Sequence, residues 1–549
     1  MTVAGVSALA AIPGAAVVLI GLPVLALVRT ALELDPAQIA DALAASAGPA
    51  AVTLETAVAG AVFAVGGGTF LAFATQRFAV PGRRLLIAAA VLPLLVPGYV
   101  AALGWVQAFG PGGYVSHAFG FAVPALFGPL GIALVLGVEA APLAYLVVVA
   151  ALASGADADL ERAARASGAS PWTCFRTITL PLLAPVLGAA LLICGVVSAT
   201  AFGTPAVLGS SSGTVTVTTR IYQDLAFSSS PVAFARAVLL SLLLAAGVVV
   251  AVIASARLLG RRSLQFALPA GREHSRTRSG AWLVGAVGWL LIVLFVVVPL
   301  ISLALTALTR AVGLPPVPSN WTLDNIRAAF DANFVAALGN SLLLSIVAAT
   351  GVVLLGLASA AASRGVRRAG GLLAMVVLLS FAIPGTTFAV GVLQAYLPQI
   401  GGSLLIILVA YLGKFWALGE RPIAITLDRI SRDAVRAGRV SGAGAWTVAR
   451  TIVLPLARPQ ILAAWLIVFL FGLHEITMSS LLYGPGNATL AVVVLDQQQL
   501  GDPSITAATA LLVTGLVLIA ALPLAIRAMR RQGTASPATI RLLKPAAAA

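Results

Sequence analysis

The sequence predicts an all-α polytopic membrane protein of two parallel six-helix halves, about twelve transmembrane helices, and three observations predict it. First, 60% of the 549 residues are hydrophobic and only 9% are charged, which leaves too little polar surface to face water. Apolar runs of roughly 20 residues, enough to cross about 30 Å of hydrocarbon, recur from end to end. In lipid such runs satisfy their backbone groups as helices. Second, arginines cluster in alternate connections, and Lys414 and Lys544 are the only lysines, the bias that marks inward-facing loops. The net charge of +15 is therefore a topology signal and not a nucleic-acid surface. Third, one polar stretch occurs twice: Leu160 to Leu182, LERAARASGASPWTCFRTITLPL, returns without a gap as Ala434 to Leu456, AVRAGRVSGAGAWTVARTIVLPL.

The first run, about 8 to 28, has no basic leader or small-residue cleavage site and reads as a retained span. A mixed-charge loop with Arg29, Glu33, Asp35 and Glu55 follows. The second span, about 52 to 75, ends at the basic turn Arg77, Arg83, Arg84, which places this loop and both termini in the cytoplasm. Span three, about 85 to 108, holds Pro93 and Pro97-Gly98. Proline inside a helix frees a carbonyl and kinks it, either to line a pathway or only to pack. Span four reaches about 153, span five runs from about 182 to 202, and FGTPAVLGSSSGTVTVTTRIY reads as an external loop. Span six, 233 to 256, completes a first repeat over 1–256.

Residues 257–279 form a basic linker on the cytoplasmic side. Six crossings restore the starting side, so the second repeat, 280–528, has the same orientation as the first. It has spans at 281 to 308 and from 336, and a basic turn at Arg364, Arg367 and Arg368. A span with Ile383-Pro384-Gly385 follows where the first half has Val96-Pro97-Gly98. Spans from 403, at 459 to 480 and at 505 to 526 finish it, and 529–549 reads as a disordered cytoplasmic tail. Cys174 and Cys194, the two cysteines, are too few for a disulfide framework and read as packing residues.

The repeated stretch reads as a helix-turn-helix against the inner face of the membrane. Acids at Asp157, Asp159 and Glu161 open its first helix, where the dipole favours them. Gly168 stops that helix, and Ser170-Pro171 caps and starts the next. Trp172 and Phe175 give it an apolar side, and Leu180-Pro181 marks re-entry into the bilayer. Asp433, Gly442, Trp446 and Pro455 take the same places in the second copy. Two equivalent elements suit two docking points for one kind of partner, whereas a single such loop would only seal the bundle.

These residues resemble the cytoplasmic loop motif of binding-protein-dependent ABC importer permeases. The motif reads here Ala163-Ala164, Gly168, Leu180-Pro181 and Ala437-Gly438, Gly442, Leu454-Pro455. The resemblance implies a coupling helix seated in a cleft of an ATP-binding subunit. It also implies two copies of that ATPase, ATP and Mg used by the partner and no cofactor bound by this chain, a solute-binding protein outside, and a multi-pass place in a bacterial inner membrane. The acid that heads the family motif is displaced: Arg162 and Arg436 hold its slot, Glu161 stands one residue earlier, and Val435 matches it without a charge. PLLVPGYVAALGW, WTLDNIRAAF, SFAIPGTTFAVG and HEITMSSLLYGPGNATLAVVV extend the resemblance to the fused, double-length permeases of ferric-iron importers and their thiamine, polyamine and phosphonate relatives. His474 stands where the iron group has lysine.

The chain carries no ATP-binding loop: Lys414 follows Gly413, but Phe415 is not Ser or Thr, so hydrolysis falls to another chain. His117, His274 and His474 fall in three separate regions and make no metal cage. Charges within spans cost about 2.5–3.5 kcal/mol each at a helix centre. Glu139 and Lys414, at nearly equivalent places in the two halves, therefore read as facing the central interface as a pair, or else as snorkelling from a membrane edge. Glu475 joins them, with Pro97 and Pro384, as a pathway candidate. The leading expectation is an importer permease without catalytic residues, for ferric iron first and thiamine, polyamine or phosphonate otherwise. A secondary transporter would not need twin loops. A membrane enzyme would need acids or histidines converging at one face.

Overall fold

The computed structural model describes residues 12–120, 123–153, 156–263, 277–365 and 367–533. His274 and the middle of the basic linker, and the tail from 534 with Arg541 and Lys544, lie outside the described residues. Among those described, nine helices are long and apolar enough to cross a membrane, and eleven with each of two bent pairs taken as one span. In the first half these are Ile12–Leu32 (α1), Pro36–Arg77 (α2), the bent pair Arg83–Leu94 (α3) and Gly98–Phe119 (α4), Pro129–Leu152 (α5), Pro171–Thr200 (α7, after the short α6, Ala156–Ala166) and Pro231–Leu258 (α10). In the second half they are Ala281–Leu308 (α11), Ala332–Ala362 (α12), the pair Met375–Ala382 (α13) and Gly385–Ile400 (α14), Ala445–Leu473 (α17, after the short Arg432–Val440, α16) and Pro503–Pro523 (α18). The twelfth is Leu404–Arg429 (α15), 26 residues long. It misses the apolar criterion because any 18-residue window of it includes Lys414, Glu420 and Arg421.

Three expectations change. Helix α2 is 42 residues long, roughly 63 Å at 1.5 Å per residue. Glu55 is therefore helical, not in a loop, because Pro36 at the first turn and Gln38, which accepts from the Asp35 backbone N–H at 3.3 Å, start the helix early. The Pro-Gly sites are breaks and not kinks: α3 and α4 meet at 107°, and α13 and α14 at 109°. Pro97 (φ −56°, ψ 137°) and Pro384 (φ −54°, ψ 145°) are both extended, and each also biases the residue before it away from helix. The Gly/Ser/Thr-rich stretch after α7 is not an open loop. It forms two short buried helices, Gly203–Gly209 (α8) and Val217–Ala226 (α9). Its hydroxyls satisfy neighbouring backbone: Thr218 donates to the Ala201 carbonyl at 2.7 Å, and Thr53 of α2 accepts from the Val217 N–H at 2.8 Å. Low charge in this segment marks burial.

The halves exchange their first helices. Leu19 and Ile20 of α1 pack with Val377, Trp416 and Ala417 of the second half, and Tyr396 donates to the Val18 carbonyl at 2.5 Å. Reciprocally, Phe295 of α11 stacks on Trp105 at 5.8 Å, Thr306 donates to Gln107 at 3.2 Å, and Trp289 donates to the Pro81 carbonyl at 3.3 Å. Lipid gives helices no hydrophobic reason to associate, so close contact depends on small residues. A Cβ at Gly391 would lie 2.5 Å from the Pro23 carbonyl oxygen, and one at Gly104 would lie 2.8 Å from that of Pro299. Pro23 and Pro299 each follow one turn of π-helix, Val17–Gly21 and Val293–Val297, where the missing N–H leaves an upstream carbonyl to be re-satisfied. The chain between the halves is held as well: Thr277 donates to the Arg77 carbonyl at 2.9 Å and accepts from the Ala79 N–H at 3.0 Å.

Gly391→Val should lower the thermal stability of the detergent-purified protein by the cost of overpacking, about 1–3 kcal/mol. Gly515→Val, at a site with nothing within 4 Å of the added Cβ, should leave it unchanged. Equal melting curves for the two variants would refute the exchange contact.

Candidate functional site

Two places gather the residues singled out in the sequence: the twin hairpins and a cavity between the halves. With the bent pair α13 and α14 counted as one span, six spans separate the hairpins, which puts both on one side of the bilayer.

In the first hairpin α6 ends in a left-handed glycine, Gly168 at φ +85°, and Gly442 at φ +83° ends α16. The closing hydrogen bonds match pair for pair. Ala169 N–H donates to Ala164 O at 3.0 Å and Gly168 N–H to Arg165 O at 3.0 Å, while Ala443 donates to Gly438 at 3.1 Å and Gly442 to Arg439 at 3.0 Å. This double bond is the usual way a glycine satisfies the last carbonyls of a helix. Ser170 caps the next turn by accepting from the Thr173 N–H at 3.1 Å, a cap that Gly444 lacks a side chain to make. Both hairpins then enter the bilayer through a π-turn, Phe175–Thr179 and Ala449–Val453. The prolines of the repeated Leu-Pro explain it, since each removes the donor that the carbonyl one turn back would use.

The side chains divide by direction. Trp172 and Trp446 are 68% and 72% exposed, while Cys174 and Val448 are buried. Ala163, Gly168, Ala437, Gly442 and Asp433 are exposed with the tryptophans, while Ala164 and Gly438 are half-buried. Leu180, Pro181 and Pro455 are exposed, Leu454 half-buried, at the re-entry turns. Glu161 turns inward. Both its oxygens accept from Arg77, at 2.8 and 2.9 Å, and it also accepts from the buried Thr179.

The cavity has a volume of about 510 Å³ and mostly apolar walls, within the range of small-molecule sites. Glu139, Lys414, Glu475 and Pro384 all line it, and beside Pro97 the wall is formed by Gly98. His474, Thr204 and Tyr99 line it too. Sequence reading had assigned none of these three to a pathway, Thr204 having been placed in an external loop whose inward fold only tertiary structure sets.

Glu139 and Lys414 share the cavity, but no ion pair joins them. Glu139 accepts from Thr204 at 2.5 Å, and its other oxygen faces Gly98 at the start of α4. Lys414 donates to the carbonyls of Phe381, at 2.7 Å, and Ile383, at the end of α13, with its Nζ 5.3 Å from the Phe381 ring centre. Glu139 thus sits at a helix start and Lys414 at a helix end, each on the side the helix dipole favours for its type. Glu475 closes a turn by accepting from the N–H groups of Met478, at 2.9 Å, and Ser479, at 3.0 Å.

The family described as binding-protein-dependent transport system inner membrane component matches residues 64–263 and 352–531. The Fe(3+)-transport system permease protein FbpB 2 of Haemophilus influenzae is 25% identical over 454 residues, 80% of this chain and 82% of its own. The probable ABC transporter permease protein y4fN of Sinorhizobium fredii is 27% identical over 490 residues, 84% and 83% of the two chains. The putative 2-aminoethylphosphonate transport system permease protein PhnV of Salmonella typhimurium is 28% identical over 241 residues, 43% of this chain and 90% of its own.

Lys414→Met strips two carbonyls of their donor and should cost about 1–3 kcal/mol of stability. Because the two charges serve different helix ends, the double exchange Glu139→Lys with Lys414→Glu should be less stable than either single variant. A thermal melt in which the double exchange recovers the wild-type midpoint would restore the pair.

Proposed function

The chain belongs to the family of binding-protein-dependent transport system inner membrane components, and from that premise we propose that its hairpins are where two copies of an ABC ATPase dock. In this reading the chain is the whole membrane-spanning permease of an importer, two permease units fused end to end. A solute-binding protein delivers its cargo at the opposite face. ATP and Mg²⁺ are held by the ATPase subunits, and this chain contributes no catalytic residue. The observation that carries the reading is the match of the two hairpins, bond for bond, with an exposed tryptophan on each. Large exposed aromatics on a small polar surface are what a partner groove uses as anchors.

Closure of the paired ATPases would draw both hairpins together, and helices entering the bilayer from them would carry that motion to the broken helices around the cavity. The exchanged first helices favour a body that moves in two interlocked parts. We assign the N- and C-termini to the cytoplasm on the arginine distribution, together with the hairpins.

For the solute, ferric iron is the first reading, supported by the relative that spans most of both chains under that description. The side chains facing the cavity suit passage of a complexed or hydrated ion, since Glu475 is engaged by backbone and Glu139 by Thr204. An organophosphonate is the second reading, supported by the half-length relative and by the ammonium of Lys414 in the wall.

Gly168→Asp with Gly442→Asp should leave the chain inserted in the membrane but free of ATPase on purification, because it puts a charged side chain at the exposed turn of each hairpin. Trp172→Ala with Trp446→Ala should weaken ATPase association by about 2 kcal/mol or more, roughly thirtyfold. ATPase co-purifying at the wild-type level with both double variants would overturn the docking assignment. Uptake of radiolabelled ferric iron, abolished on deleting the chain while phosphonate uptake persists, tests the solute.

A further inference from the structure

The two hairpins share a backbone but not an anchor. In the first, Glu161 binds three elements at once: its own helix α6, the end of α2 through both Nη atoms of Arg77, and the π-turn at the start of α7 through Thr179. Arg77 and Glu161 are 19% and 15% exposed, so the pair is shielded from most of the solvent that makes surface ion pairs weak. Two parallel N–H···O bonds also fix its orientation, which a single contact would not. The backbone of the same Arg77 holds Thr277, the residue from which the chain runs into α11. One arginine therefore touches the first hairpin through its side chain and the entry to the second half through its carbonyl.

Among the described side chains, the second hairpin makes no ion pair outside its own first helix. Val435 stands where Glu161 does and has no carboxylate. Asp433 meets Arg436 of its own helix at 3.8 Å, with both side chains largely exposed. Its two arms meet through apolar contact: a Cβ at Gly438 would lie 2.9 Å from Ile452 and 3.2 Å from Val448. Apolar contact resists separation but tolerates sliding and rotation, whereas a bidentate ion pair resists all three.

We propose that Glu161 is a positioning residue that locks the first hairpin to the membrane body through Arg77, a tie that Val435 at the matching place of the second hairpin has no carboxylate to make, so that the stroke of the ATPase subunit docked on the first hairpin reaches α2 and α7 without slip. The inference rests on the docking assignment above. It makes Glu161 an inward tie and leaves the exposed tryptophans as the docking contacts.

The test uses the full-length chain reconstituted in proteoliposomes with its ATPase and its solute-binding protein, and reads two quantities: ATPase retained on the purified complex, and solute moved per ATP hydrolysed. Arg77→Gln and Glu161→Gln should retain the ATPase but lower the transport-to-hydrolysis ratio by about tenfold, within the usual range of site-to-site coupling. The exchange Arg77→Glu with Glu161→Arg should recover most of that ratio, and Val435→Gln in the second hairpin should leave it at the wild-type value. Thr179→Val, which removes one donor and keeps the shape, should give an intermediate loss and serves if the arginine variants fail to fold. Loss of the ATPase from Glu161→Gln would make Glu161 a docking residue and overturn the proposal. So would an equal loss of ratio in Val435→Gln, or no recovery in a folded exchange variant. Failure of the wild-type chain to retain any ATPase would instead sink the importer reading.

Discussion

The constraint on which this structure depends is that a backbone amide in hydrocarbon must find its partner inside the protein. A continuous helix meets that demand by itself, and a helix interrupted at Pro-Gly in the middle of the bilayer does not. The two interruptions at Pro97 and Pro384 therefore need helpers. Lys414 supplies donors to the carbonyls that α13 leaves open, Glu139 sits over the start of α4, and Thr204 ties Glu139 to the Gly98 carbonyl. The charges that look anomalous in an apolar sequence are where backbone satisfaction has been handed to side chains. The same groups wall the cavity, because broken helix ends and their helpers are the main polar features available at that depth.

Interlocking follows from a second feature of lipid, its indifference to which apolar surfaces meet. Packing alone decides the neighbours, and the close approaches at Gly104 and Gly391 let α11 and α1 lie against the opposite half. A chain built as a duplicated sequence thus becomes one body with a reciprocal exchange of first helices. Motion of one half then moves a helix of the other, the mechanical arrangement an alternating pathway requires.

At the hairpins the backbone and the side chains carry different information. Gly168 and Gly442, with the repeated Leu-Pro, dictate the same turn and the same π-helical entry, since these follow from φ > 0 and from a missing N–H. What each hairpin grips depends on its neighbours. Glu161 meets Arg77 from a helix end more than eighty positions earlier in the chain, and its match at Val435 has no carboxylate to do so. Identical folds with unequal anchors are what duplication followed by independent change would leave.

The all-helical class, the two halves, the position of each hairpin and a disturbance of the helix at each Pro-Gly were legible in the sequence, because each is a local property: apolar run length, arginine bias, a glycine stop, a lost donor. The convergence of Glu139, Lys414 and Glu475 on one region was legible only as a suspicion from the cost of burying charge, which left a Glu139–Lys414 pair as one of two alternatives, and the two side chains take other partners. Which partner a buried charge takes depends on atoms brought near by folding, here the open carbonyls of α13 and the hydroxyl of Thr204. The buried course of Gly203–Gly209 and Val217–Ala226, the outward tryptophans, the exchange of first helices and the Arg77–Glu161 tie were decided by tertiary structure alone. Composition records what a segment can tolerate, and only packing determines what it touches.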